Sequence, residues 1–223
     1  MAKNMPVIRS ILRQHLVEMP SVIYEASGIV INGKRIKSLL FSTDVAIISN
    51  SNADAIIAVY PFTPTLQITK AIINVSQRPV LAGVGGGTTS GPRVKEIALD
   101  AELHGAIGVV VNAPTKTEFV QELKSHIDVP IILTIVSLDE NLEERMLHSG
   151  ASIVNVSGGK KTVEIVKALR KIDPDFPIIA TGGPTEETIR EVILAGANAV
   201  TYTPPTNGEI FREMMERYRD ACK

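Results

Sequence analysis

The sequence predicts an α/β protein folded as a (β/α)8 TIM barrel, with an N-terminal helix and a β-hairpin ahead of the barrel. Three observations lead there. Eight short apolar runs recur along the 223 residues, and each is followed by a stretch with helical spacing. The runs are nearly free of polar residues, as expected of parallel strands covered on both faces. Their entries also alternate. Asn52-Ala53, Gly105-Ala106, Gly150-Ala151 and Gly196-Ala197 open four strands, whereas Pro79, Pro130 and Pro177 open those between. The rhyme returns roughly every 45–50 residues, about the length of two βα units. Eight such units close into a ring, whereas an open doubly wound sheet usually has fewer strands. No linker or low-complexity segment divides the chain, so one domain over residues 1–223 is expected.

Taken in order, residues 6–18 space Val7, Ile8, Ile11, Leu12 and Leu16 as a helix lying outside the main body. Asn32-Gly33 then sits between two apolar arms in residues 28–36, the strongest short-range hairpin signal because both turn residues need positive φ. The first barrel strand is expected at 37–42, followed by a short helix to residue 50. Further strands fall at 55–60, 80–84, 108–111, 131–136, 152–156, 178–181 and 199–203. Helices lie near 64–76, 91–104, 116–127, 139–148, 160–172, 185–195 and 207–220.

Residues 178–206 show why these units form. Ile178-Ile179-Ala180 is an apolar strand, and Gly182-Gly183 ends it where the backbone turns. Thr185 offers a hydroxyl to the next helix, with Glu186 and Glu187 in the first turn favoured by the helix dipole. Ile189, Val192 and Ile193 form its core stripe, Gly196 stops it, and Ala199-Val200 starts the last strand.

Composition removes several function classes. With 23 basic and 24 acidic residues the net charge is -1, and no basic run points to nucleic acid. Aromatic residues are only 4%, too few for base-stacking platforms, while 44% hydrophobic content is ample for a core. The lone Cys222 cannot form an intramolecular disulfide. No apolar run reaches the ~18 residues of a membrane span, and no signal-peptide pattern follows Lys3 and Arg9. A cytoplasmic protein without membrane or nucleic-acid partners is expected.

In such a barrel the loops after the strands form the active face. Here those loops are rich in glycine, hydroxyls and side-chain amides. The histidines fall elsewhere: His104 and His148 end helices on the opposite face, and His15 and His126 lie on helices. None is placed for a Ser-His-Asp or Cys-His arrangement, and no acid–histidine cluster suggests a metal. Strands two to eight contain no lysine for a Schiff base.

What remains are glycine loops. Gly85-Gly86-Gly87 with Thr88, and Ser157-Gly158-Gly159 with Lys160, present backbone N–H groups at helix starts, which suits an oxyanion or phosphate. Glycines also simply make tight turns, and both readings stand. Lys160-Lys161-Thr162 lacks the first glycine of a Walker A loop at the required spacing. Asp44 is the candidate general base, or else the cap of the helix it opens. Lys160 would hold phosphate or carboxylate, or else be solvated. Asp139 and Glu140 read as first-turn dipole partners. Asn112 and Asn155 end strands four and six, where a polar group facing a dry barrel is costly without a partner; ligand contacts are expected of both. Tyr60 and Tyr202 either donate at the mouth or pack there.

The segment 178–203, with Ile178-Ile179-Ala180-Thr181-Gly182-Gly183 and then Ala195-Gly196-Ala197-Asn198-Ala199-Val200-Thr201-Tyr202-Thr203, resembles the phosphate-binding (β/α)8 superfamily of ribulose-phosphate-binding, sugar-phosphate epimerase and thiazole-synthase-like barrels. The chain is also similar to bacterial barrel proteins labelled hydrolases. The superfamily resemblance implies phosphate held by the strand-seven loop, where Gly182 and Gly183 match, and by a Gly-Ser/Thr loop after strand eight. There Thr203-Pro204-Pro205-Thr206 stands instead, and neither proline has an N–H to give. The loops after strands three and six therefore compete with strand seven for the anion.

The expected function is an enzyme acting on a small anionic, phosphorylated metabolite in a lyase, isomerase or hydrolase step, needing no metal or nucleotide cofactor. The alternative is a non-catalytic metabolite-binding or regulatory barrel. A third reading gives the hairpin and terminal helices to a homo-oligomer interface.

Overall fold

The computed structural model describes Pro6, Ile8 and residues 16–222. All of the helix expected over 6–18 except Pro6, Ile8 and its last three positions lies outside the described residues, as does His15.

The Asn32-Gly33 turn forms as expected, with φ of 48° and 78°. It joins β1 (Ile29–Ile31) to β2 (Lys34–Ile36), with Ile29 opposite Ile36. Eight parallel strands then close a barrel: β3 (Ser38–Phe41), β4 (Ala55–Ala58), β5 (Val80–Gly85), β6 (Gly108–Val111), β7 (Ile131–Ile135), β8 (Ile153–Val156), β9 (Ile178–Thr181) and β10 (Ala199–Tyr202). Closure is made by β10 against β3, pairing Thr201 with Leu39. Strand limits fall within two residues of those expected.

The alternating entries have a physical basis. Gly105, Gly150 and Gly196 carry φ of 95°, 84° and 114°, the left-handed conformation that ends a helix and turns the chain toward the next strand. Pro79, Pro130 and Pro177 offer carbonyls instead, accepting from Ile56, Val109 and Val154 on the preceding strands at 2.8–3.1 Å. A proline costs nothing there because no N–H is needed.

Strand parity divides the core. Outward residues such as Leu40, Ile56, Val109, Leu133, Val154 and Val200 pack under the helices. Inward residues Leu39, Ile57, Leu81, Val110, Ile132, Ile153 and Ile179 form one buried cluster with Ile29, Ile31 and Ile36 of the hairpin. The hairpin thus spends its apolar side chains on the N-terminal end of the barrel, tied there by Gly28 N–H donating to Asn198 O at 2.7 Å.

The helices are α1 (Val45–Ser49), α2 (Leu66–Val75), α3 (Pro92–Leu103), α4 (Thr117–Lys124), α5 (Thr162–Ile172), α6 (Glu186–Leu194) and α7 (Asn207–Ala221). The fifth crossover differs from expectation. In place of a helix over 139–148, a single π-helical turn spans Glu144–His148. The stretch before it is a loop, held by Glu140 Oε1 accepting from the N–H groups of Val136 and Ser137 at 2.8 and 3.2 Å. Among the described residues, no helix is long and apolar enough to cross a membrane.

Candidate functional site at the barrel mouth

The strand ends open into two adjoining clefts. The larger, about 520 Å³, is lined by Ser42, Thr43 and Asp44 after β3, by Tyr60 and Asn112, and by Thr203–Thr206 positions after β10. The smaller, about 90 Å³, runs over Gly83, Gly85, Gly87, Thr88 and Thr89. Val59, Tyr60, Pro61 and Asn112 line both, so the two form one groove with Asn112 at the junction.

Asp44 is held by its own helix. Its Oδ1 accepts from Ala46 N–H at 2.9 Å and Ile47 N–H at 3.2 Å, capping α1, while its backbone N–H donates to Ser42 Oγ. It is the one carboxylate lining the two clefts. Tyr60 Oη accepts from Thr65 N–H at 2.9 Å, which fixes the ring at the rim. On the far wall, α7 begins with a reciprocal cap in which Glu209 accepts from the Thr206 N–H and hydroxyl at 2.8 and 2.7 Å. Those bonds, the backbone one first, hold the Glu209 carboxyl below its ordinary range.

Asn155 lies inside the barrel on β8, 7% exposed, and Thr134 on β7 faces it in register. The Asn155 Oδ1 and the Thr134 and Thr201 hydroxyls are buried with no protein hydrogen-bond partner. Sequence inspection marked Asn155 but passed over Thr134 and Thr201; their inward parity in otherwise apolar strands was the available signal.

Several glycine N–H groups expected to face an anion are already engaged. Gly86 donates to Thr89 O at 2.8 Å, Gly158 to Thr162 Oγ1 at 3.1 Å, and Gly182 to Thr201 O at 3.0 Å. Gly86 is also a packing residue: at φ 103° a Cβ would overlap Thr115 Oγ1 and Asn112 O. Gly183 is similar, because a Cβ there would strike the Thr188 side chain. Lys160, Ser157 and Gly159 are exposed around the turn after β8 and line neither mouth cleft. Tyr202 has outward parity and packs toward α7 beside Ile210, away from the axis. The groove therefore gathers Asp44, Asn112, Gly87 and Thr88 of the expected residues. Asn155 stands below it, and Gly182, Gly183, Lys160 and Tyr202 stand apart.

Among the described residues, no three His, Cys, Asp or Glu side chains gather as a metal centre requires.

No protein-family model matches the chain, and no curated protein does. Solved structures do share its fold. A phosphoenolpyruvate phosphomutase from Streptomyces platensis subsp. rosaceus superposes with a TM-score of 0.61 at 14% identity, covering 88% of this chain and 83% of its own. A phosphonopyruvate hydrolase in complex with oxalate and Mg²⁺ gives 0.60 at 16% identity, covering 85% and 82%. A mandelate oxidase variant gives 0.60 at 14%, covering 80% and 69%.

Proposed function

We propose that this barrel is an enzyme acting on a small anionic, phosphorylated metabolite bound at the C-terminal mouth, in a lyase, isomerase or hydrolase step. The observation that carries the reading is the single groove running from Asp44 past Asn112 to the Gly87-Thr88 loop. A carboxylate, an amide and a glycine–threonine loop at one face supply a proton acceptor, an orienting group and anion donors. Phosphoenolpyruvate and phosphonopyruvate, named for two of the fold's neighbours, are ligands of that size and charge.

In this reading the loop after β5 takes the phosphate through Gly87 and Thr88, favoured over the loops after β8 and β9 by its place in the groove. The free lone pairs of Asp44 move the proton, and Asn112 Nδ2 holds a substrate oxygen. Among the described residues, Asp44 is the one carboxylate lining the groove, short of the donor set a metal would need there. A cytoplasmic location accompanies the proposal.

Asp44→Asn is the sharp test, because Asn caps a helix as well as Asp. The variant should melt within about 1 kcal/mol of the wild type. It should still bind, yet turn over roughly 10²–10⁴-fold more slowly. The substrate would come from a thermal-shift screen of phosphorylated small acids and sugars. A second reading, a non-catalytic metabolite-binding barrel, is favoured by the capping bonds that already occupy Asp44 Oδ1. Tight binding with no turnover of any binder would select it, and stabilisation by no anion at all would sink both.

A further inference from the structure

The larger mouth cleft is walled mostly by carbon. Phe41, Val59, Pro61, Pro204 and Pro205 line it. Strand alternation places the first two. Leu39 and Ile57 belong to the inner cluster, and Phe41 and Val59, two positions further on, keep the inward direction at the open end. Val59 packs back onto that cluster, whereas Phe41 stays 38% exposed. A phenyl ring turned to the axis yet left to solvent is apolar area that the fold has not used. The two prolines enter from the loop between β10 and α7 and bring no N–H. Polar groups beside them are spent on helix entries: Ser42 Oγ accepts from Asp44 N–H at 3.1 Å, and the Thr206 N–H and hydroxyl donate to Glu209. At the lip of the adjoining small cleft Phe62 is 75% exposed, a second large apolar side chain without a place in the core.

Charge points the same way. Among the described residues, no Lys, Arg or His lines either cleft, and the carboxylate of Asp44 stands in the larger one. A second anionic group on the ligand would face Asp44 there with no cation to hold it. The small cleft, about 90 Å³, has room for one compact group, and the larger, about 520 Å³, has the size of an ordinary small-molecule site. A body that covers Phe41 and the prolines also keeps water from beside Asp44.

We infer that the larger cleft receives an apolar, uncharged body, so that the substrate is an alkyl or aryl phosphate or phosphonate with its single anionic end over Gly87 and Thr88. This rests on the proposed mouth site and narrows its substrate class.

Titration calorimetry with methyl, n-butyl and 2-aminoethyl phosphate, phosphoglycolate and butan-1-ol tests it on the whole chain. Butyl phosphate should bind at least about tenfold more tightly than methyl phosphate, since each buried methylene is worth about fourfold. Its binding heat capacity should be the more negative of the two, the mark of apolar surface leaving water. In Phe41→Ser the butyl advantage should shrink at least about threefold while methyl phosphate affinity holds within about twofold, and Phe41→Leu should restore most of it. Equal binding of methyl and butyl phosphate by the wild type, or tighter binding of 2-aminoethyl phosphate or phosphoglycolate than of butyl phosphate, overturns the apolar cleft. The two proposals separate. If butan-1-ol binds as tightly as butyl phosphate, the anionic reading fails and the apolar cleft stands. If methyl and butyl phosphate bind alike, the apolar cleft fails and the anionic reading stands. Binding of none of the five removes both.

Discussion

Arg145 shows how much a single side chain can organise at the rim. It is 9% exposed, with Nε 2.6 Å from Glu140 Oε2. Its Nη1 donates to Thr115 O at 2.7 Å and its Nη2 to Thr134 O at 3.3 Å. Glu140 in turn holds the turn after β7, so one ion pair ties the ends of β6 and β7 together. Removing one partner strands the other charge in a low-dielectric site. Arg145→Ala should therefore cost about 3–5 kcal/mol in urea unfolding, far more than an exposed pair is worth. At this scale the sequence was partly readable. Ser42-Thr43-Asp44 announced a cap, and a cap is present. Asn155 announced a polar group inside the barrel, and it lies there. The fate of each glycine N–H was not readable. Whether Gly182 faces a ligand or Thr201 O depends on a strand partner some twenty residues away, which no local pattern encodes. Glu140 was likewise misplaced as a dipole partner, because its true partners are the turn just before it and an arginine that follows.

Among the elements, α7 depends most on its own local chemistry. None of its fifteen residues is fully buried, and Phe211 and Tyr218 are 64% and 56% exposed. With little packing to support it, the reciprocal cap of Thr206 and Glu209 matters more than usual. The Glu209 carboxyl is held below the usual carboxylate range by those bonds. The ionised form is thus the one the folded cap prefers. Its contribution is full above the ordinary carboxylate pKa and is lost as pH falls through the lowered value. Amide exchange in the first turn of α7, corrected for intrinsic rates, should accelerate on going from about pH 6 to about pH 3. In Glu209→Gln that added sensitivity should vanish, since glutamine keeps a cap but does not titrate. The helix itself was expected at 207–220 and spans Asn207–Ala221. The π-helical turn at Glu144–His148 was not, because its start is set by tertiary bonds of Glu140 rather than by propensity.

For the whole molecule, the ring of eight strands was written in periodicity and in its alternating Gly-Ala and proline entries. Those signals work because each βα unit solves the same local problem. The position of the hairpin was not written there. Its Asn32-Gly33 turn was plain, but nothing local says which surface covers Ile29, Ile31 and Ile36. The structure gives them to the barrel interior. Ile36, 3% exposed, should lose about 2–5 kcal/mol on substitution by Ala, measured by urea denaturation, whereas Val30 on the outer side, 66% exposed, should tolerate Ala within about 0.5 kcal/mol.

That stopper and the packed interior make the mouth groove a blind one with one door. A solute in it arrives and departs past Asn112 and Tyr60, so incoming and outgoing molecules take turns instead of passing through in series. A second reactant, water included, would share the same doorway, and whichever molecule holds the threshold governs what the interior meets next.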